Sequence, residues 1–309
     1  MMLPDPFHEG ERAVQERAGE HPNAILNSRM ITDSIMLPAL PFMAKQPWAI
    51  LGGPDPDGRL WCSALVGEPG FVSPSEDGKE VSFDLTQAPY HPVNPLFRGL
   101  AKGRAFGALF IELATRRRLR VNGHIASFSP TQLHLAVEES FPNCPKFIQK
   151  RAFEGRSGPS QGGPSEARRG SLLGEMEMAW IRAADTFFMT TAHPSRGADT
   201  SHRGGHPGFV EVVDASTLRL PDYPGNSLFQ SFGNLEVDAR VGALFPAFDS
   251  GELLHLSGTA KVLWNAPDPE GRTGGTGRFL EITVEAWVVT PPAQGAPRWS
   301  FVEASPYNL

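Results

Sequence analysis

The chain has 309 residues, of which 40% are hydrophobic and 20% charged, and its net charge is −6. This composition supports a packed core and excludes a disordered type, and the acidic balance argues against non-specific binding to nucleic acid or anionic membranes. No apolar run reaches the ~18 residues that span a bilayer, and Cys62 and Cys144 stand far apart in no CxxC pair, so neither a disulfide framework nor a zinc site is expected. The N-terminal stretch has no secretory pattern, so a cytoplasmic location is expected.

Periodicity and turn residues predict helices at 10–20 and 25–36, the second ended by Pro38 and Pro41. Short β-rich runs follow at 47–53, 60–67, 80–85, 105–113, 117–128 and 132–141. The stretch 144–153 reads as a helix. The Gly/Ser/Pro-rich stretch 154–171 reads as a linker. Beyond it come a helix at 175–185, strands at 186–193, 208–214 and 216–223, a helix at 226–238, and strands at 239–248, 253–264 and 278–289. DTSHRGG at 199–205 reads as a polar loop leading into a strand.

The second half repeats the first. Gly107-Ala108-Leu109-Phe110 recurs 135 residues later as Gly242-Ala243-Leu244-Phe245, and 107–123 aligns without a gap on 242–258. EPGFV at 68–72 matches HPGFV at 206–210, and NPLF at 94–97 matches NSLF at 226–229, in the same order. Ordered matches at a nearly constant offset point to two copies of one strand-rich unit. The expected boundaries are a first unit at 1–155, a linker at 156–170 and a second unit at 171–309.

Two stretches of the second copy suit a phosphate. In SHRGGHPG, Ser201 and Arg203 offer a hydroxyl and a guanidinium, and Gly204 lets backbone approach a ligand closely. In PDYPGNSLF, a strand ends at Tyr223 and Asn226-Ser227 open a helix, whose N-terminus attracts anions. An ordinary polar turn and a plain N-cap are the alternative readings. The first copy has Ala64-Leu65 opposite His202-Arg203, so a single phosphate seat is expected, in the second half. The first copy instead carries RRRLRVNG, with Arg118, Arg120 and Asn122 on one strand face. These side chains either donate to a ligand between the copies or form a solvated basic face. His193, Asp199, His202 and His206 lack metal-ligand spacing, and no metal is expected.

Taken together, FHEGERAVQERAG, RRRLRVNG, FPNCPKFIQ, SHRGGHPGFVEV, PDYPGNSLFQSFGN and GALF…LSGTAKVLW resemble the pyridoxamine 5′-phosphate oxidase-related flavoproteins, specifically their long members. The resemblance covers nearly the whole chain. It implies a mainly β (α+β) fold of two tandem split β-barrels, each of six antiparallel strands with flanking helices, and FMN bound where the barrels meet. It also implies FMN contacts from Ser201, His202, Arg203, Gly204, Tyr223, Asn226 and Ser227, with Arg118 and Arg120. The Arg-Lys pair of the oxidases' phosphate turn and their C-terminal Arg-x-His are absent, so vitamin B6 is not the expected substrate. The expectation is an FMN-dependent oxidoreductase acting on another small molecule, with NADH or NADPH as electron donor and homodimerisation left open. Alternatives are a non-catalytic FMN carrier or sensor, or a split barrel holding haem or a deazaflavin.

Overall fold

The computed structural model describes residues 6–156, 166–292 and 297–309, so the centre of the expected linker lies outside the described residues. Three short helices come first: α1 (Glu9–Arg17), α2 (His21–Asn27) and α3 (Leu40–Ala44). Strands β1 (Trp48–Pro54), β2 (Leu60–Val66), β3 (Val72–Pro74), β4 (Glu80–Asp84), β5 (Ala105–Glu112), β6 (Arg117–Phe128) and β7 (Gln132–Pro142) form one antiparallel sheet. Next come β8 (Lys150–Arg156), β9 (Arg168–Gly170) and α4 (Glu175–Ala183). The second sheet holds β10 (Thr186–His193), β11 (Gly197–Gly204), β12 (Glu211–Val212), β13 (Thr217–Pro221), β14 (Arg240–Pro246), β15 (Leu253–Leu263) and β16 (Phe279–Thr290). Helix α5 (Gln230–Val237) lies between β13 and β14, and β17 (Pro297–Glu303) ends the chain.

The two sheets share one seven-strand path, and in the second β9 also pairs with β16. Their orders are β2-β1-β5-β6-β7-β4-β3 and β11-β10-β14-β15-β16-β13-β12. The match extends to single residues: Gly107 pairs with Asn122 in one hairpin and Gly242 with Ser257 in the other. Both long hairpins break register at the same place, before Gly123 and before Gly258. A β-bulge there bends the strand, and a side chain on either glycine would run into a carbonyl across the ladder, that of Ala136 or of Thr283. The fold is therefore two tandem split barrels. Each path carries a seventh, very short strand (β3 or β12) beyond the six expected.

Each barrel fills its own core with aromatic side chains, Phe71, Phe83 and Phe110 in one and Phe187, Phe209 and Phe245 in the other. A third apolar cluster sits where the barrels meet and includes Trp48, Ile50, Leu109, Phe188 and Leu244. There the backbones nearly touch. A Cβ on Gly107 would stand 2.9 Å from the Ala198 carbonyl oxygen, and one on Gly242 would stand 2.8 Å from Trp61 backbone. The glycine of each GALF segment thus permits the same close approach. Helix α1 crosses α5 at Gly10 and Gly233, where neither residue has room for a side chain.

Four local expectations need correction. Residues 144–148 are irregular, and β8 from Lys150 pairs antiparallel with β17, Trp299 opposite Phe153. The partner strand lies at the far end of the chain, so local pattern could not reveal the pairing. Residues 199–204 are strand, not loop: β11 pairs with β10 along its length. Its Asp199, Thr200, Ser201 and His202 are buried; Asp199, Thr200 and His202 meet partners across the interface, and Ser201 meets Met189 and Ser231 in its own half. Helix α5 begins at Gln230, so Asn226 and Ser227 lie upstream of it in a turn. The predicted helix at 25–36 also shrinks to α2 followed by one 3-10 turn at Ser28–Met30.

Candidate functional site

One face of β6 meets β11 across the barrel boundary. Arg120 donates to Asp199 Oδ2 at 2.8 Å, and Asn122 donates to Asp199 Oδ1 at 3.1 Å. Arg118 donates from Nε to the Cys144 carbonyl at 2.9 Å and from Nη1 to His202 Nδ1 at 3.1 Å. A guanidinium only donates, so His202 Nδ1 accepts and its proton sits on Nε2. On the other side, Arg203 lies 3.6 Å from Asp222, whose carboxylate also accepts from Arg278 Nε at 2.8 Å. Phe232 supports the Arg203 guanidinium from below, 5.4 Å from its ring centre.

These side chains border a chamber of about 590 Å³. Its walls come from the α1–α2 corner (Glu20, Asn23), the 222–232 segment and the turn ending at Arg278. Arg120, Arg203 and Tyr223 connect it to a recess of about 110 Å³ lined by Arg118, Cys144, Phe147, His202 and Gly204. Every predicted contact residue except Ser201 lines the chamber or the recess. Ser201 lies one layer behind, its hydroxyl 3.3 Å from that of Ser231, which does line the chamber. Tyr223 stacks on Phe147 at 4.4 Å. Asn226 accepts from the Leu228 N–H at 3.2 Å, and Ser227 donates to Glu20 at 2.9 Å, so both order the turn before α5. Ser227 and Phe229 have φ of 62° and 57°, a left-handed conformation rare without glycine. No side chain caps the start of α5, and its first residues, Gln230, Ser231 and Phe232, face the chamber.

The electrostatics favour an anion. Burial and the neighbouring charges of Arg120 and Arg203 pull Arg118 down to about 9. Burial and the same arginines hold His202 well below its ordinary value, so it is neutral. Arg120 Nε, Arg203 Nε and Gln230 Nε2 are buried donors with no protein partner. An acceptor-rich ligand would satisfy the cleft better than the protein does alone. Sequence reasoning missed Asp222, Arg278, Gln230 and Ser231. Asp222 directly precedes Tyr223 in a stretch already singled out, and that adjacency was the available signal.

The equivalent place in the other half is built differently. Leu65 stands where Arg203 would, and Leu253 and His255 stand in place of Arg118 and Arg120. Trp48, Tyr90, Phe248 and Trp299 close around the remaining space of about 40 Å³, with Trp48 and Trp299 at 4.6 Å.

Among the described residues, His8, Glu9 and His193 form the one cluster with metal-ligand proximity. Its nitrogens are engaged: Nδ1 of each imidazole accepts a backbone N–H, from Gly10 and Ser195, and the Nε2 atoms meet Asn234 and Glu9. No helix is long and apolar enough to cross a membrane.

No family model matches the chain. No curated protein matches it either. Solved structures similar to it do exist. A pyridoxamine 5′-phosphate oxidase-like protein from Lactobacillus delbrueckii aligns at 15% identity and TM-score 0.32, covering 40% of this chain and 98% of that one. An FAD-binding protein from Mesorhizobium loti aligns at 13% identity and TM-score 0.28, covering 40% and 96%. HutZ, the haem storage protein of Vibrio cholerae, aligns at 12% identity and TM-score 0.25, covering 42% and 94%.

Three buried groups near the barrel boundary set a pH dependence. Burial pulls His8 and His255 down to about 4, and burial pushes Glu11 up to about 8. From pH 4 to 6.5 the unfolded histidines bind more protons than the folded ones, so they make stability rise. Folded Glu11 keeps its proton from about 4.5 to about 8 while the unfolded residue loses it, so it makes stability fall. Only Glu11 of the three still acts between pH 6.5 and 8. The expected melting temperature declines across that window, and Glu11→Gln flattens the decline. A wild-type melting temperature that climbs steadily to pH 8 would contradict this assignment.

Proposed function

We propose that the chain binds FMN in the cleft between its barrels and acts as an oxidoreductase on a small molecule, with NADH or NADPH as electron donor. The observation that carries this reading is the convergence of Arg118 and Arg120 from one barrel with Arg203 and the uncapped start of α5 from the other. A chamber of about 590 Å³ falls in the usual range for cofactor sites. Arg203, Arg120 and the first turn of α5 are the phosphate donors in this reading. The stacked Tyr223–Phe147 pair offers an aromatic wall, and Gly204 keeps the recess open. Bound FMN would supply electron or hydride transfer; the protein supplies position, positive potential and exclusion of water. His202 is the only imidazole lining chamber or recess. Its Nε2 carries a proton and offers no lone pair to iron, which favours flavin over haem.

The visible spectrum of the purified protein tests the reading. Flavin bands, retained on gel filtration and released on denaturation, are the expected result. A haem Soret band, or a colourless protein that takes up no added FMN, would overturn it. Anaerobic mixing of the loaded protein with NADH and NADPH then separates enzyme from carrier, since a carrier is reduced by neither.

A further inference from the structure

Beneath the chamber lies a second, much smaller cavity of about 20 Å³. Three carboxyl groups converge on it from three elements: Glu11 from α1, Glu139 from β7 and Asp199 from β11. Asn122 lies between two of them, its amide nitrogen 3.1 Å from Asp199 and 3.4 Å from Glu139. Two further lining atoms have no protein partner, the acceptor Asn122 Oδ1 and the donor Gln230 Nε2. A cavity must offer roughly 10–15 Å³ and two to four polar partners to hold one water. This cavity meets both conditions, and a single water would answer both orphans.

The charged groups facing the cluster leave it short of cations. Arg120 is paired with Asp199. Arg196 lines the cavity from an exposed position and donates to the Pro6 carbonyl. His8 stands 3.6 Å from Glu11 but is neutral above pH of about 4, and His193 faces Glu9. Glu11 accepts only the His8 backbone N–H at 2.9 Å, and Glu139 only the Asn122 amide. Carboxyl groups lining one buried space raise each other's cost of ionisation, so a proton is favoured on Glu11 or Glu139. The cavity is also linked to the chamber. Asp199 Oδ2 accepts from Ser231 at 3.3 Å, Ser231 lines the chamber, and Gln230 lines both spaces.

We propose that Glu11 and Glu139 store a proton around this one-water cavity and pass it by way of Asp199 and the Ser231 hydroxyl to a basic atom of the ligand in the chamber. The delivery half rests on the FMN reading above; the storage half does not. In the transfer one O–H bond breaks at Glu11 and one bond to hydrogen forms on the ligand. The water, Asp199 and Ser231 each gain and lose one proton, and no electrons move. The upward displacement of Glu11 and Glu139 by burial and by neighbouring carboxylates agrees with storage.

Infrared spectroscopy of the full chain without FMN tests the store. The expected spectrum at pH 6.5 contains the C=O stretch of a protonated, buried carboxyl, lost on titration towards pH 9 and absent in Glu11→Gln. Glu139→Gln should move that titration to lower pH by removing a like charge, and it serves if Glu11→Gln does not fold. A wild-type spectrum with no such band at pH 6.5 overturns the store. Delivery is read on the chain loaded with FMN and reduced anaerobically at pH 7. The same band should bleach on reduction, at least tenfold more slowly in Ser231→Ala. A band unchanged by reduction overturns delivery. A chain that takes up no FMN overturns delivery together with the FMN reading, and the titration without FMN still decides the store.

Discussion

Phe188→Ala is expected to lower the unfolding free energy by about 3–5 kcal/mol, the loss typical of truncating a buried Phe. Phe188 is fully buried and sits at the barrel–barrel boundary, edge-on to Trp48 at 5.5 Å and beside His202 at 5.7 Å. Such losses are largest where the surroundings cannot collapse into the space vacated. Here both walls are paired strands, since Phe188 lies opposite His202 on one side and Leu244 on the other. The distance between barrels is already set by the backbone contacts at Gly107 and Gly242. The cavity should therefore persist. Urea unfolding of variant and wild type gives the number. A loss under about 1 kcal/mol, well below the cited range, would mean that the barrels are held together elsewhere. Phe83→Ala, inside one barrel, is the control: similar loss, but no change in ligand affinity.

Arg203→Ala is expected to weaken FMN binding roughly 10- to 150-fold, or about 1.5–3 kcal/mol, the worth of a charge-assisted hydrogen bond. The fold should survive, because Asp222 keeps its closer partner Arg278. Arg203→Lys should recover only part of the loss, since a point charge lacks the planar fork that grips a phosphate. Leu65→Ala, at the equivalent place in the other half, should leave affinity unchanged. Quenching of flavin fluorescence on titration measures all three. Equal affinity in wild type and Arg203→Ala would remove the phosphate from this side chain.

Much of the fold is legible in sequence because the two halves read alike. The GALF segments and their hairpins carry the register of both sheets, down to the bulge before Gly123 and Gly258. What escaped was strand β11. Its sequence is polar and small, and periodicity recognises burial only when buried residues are apolar. Thr200 instead donates to the Gly107 carbonyl at 3.1 Å, Asp199 holds Arg120, and Ser201 donates to the Met189 carbonyl at 3.2 Å. An interface built of paired polar side chains looks like a loop until its partner is seen. The cleft was partly legible for the same reason. Arg118, Arg120 and Arg203 stood out by comparison between halves, whereas Asp222, Gln230 and Arg278 take their role from the packing of distant turns.

The aromatic closure of the second place has a consequence for how the chain comes off the ribosome. The first sheet uses only residues from Trp48 to Pro142, so it can assemble while the rest is still being synthesised. Trp48 nevertheless waits for Trp299 to pack against it, and β8 waits for β17. Until β17 emerges, Trp48 and the edge of β8 lack these partners, and exposed aromatic side chains and strand edges recruit chaperones and neighbouring nascent chains. Deletion of β17 would thus be felt first in the N-terminal half.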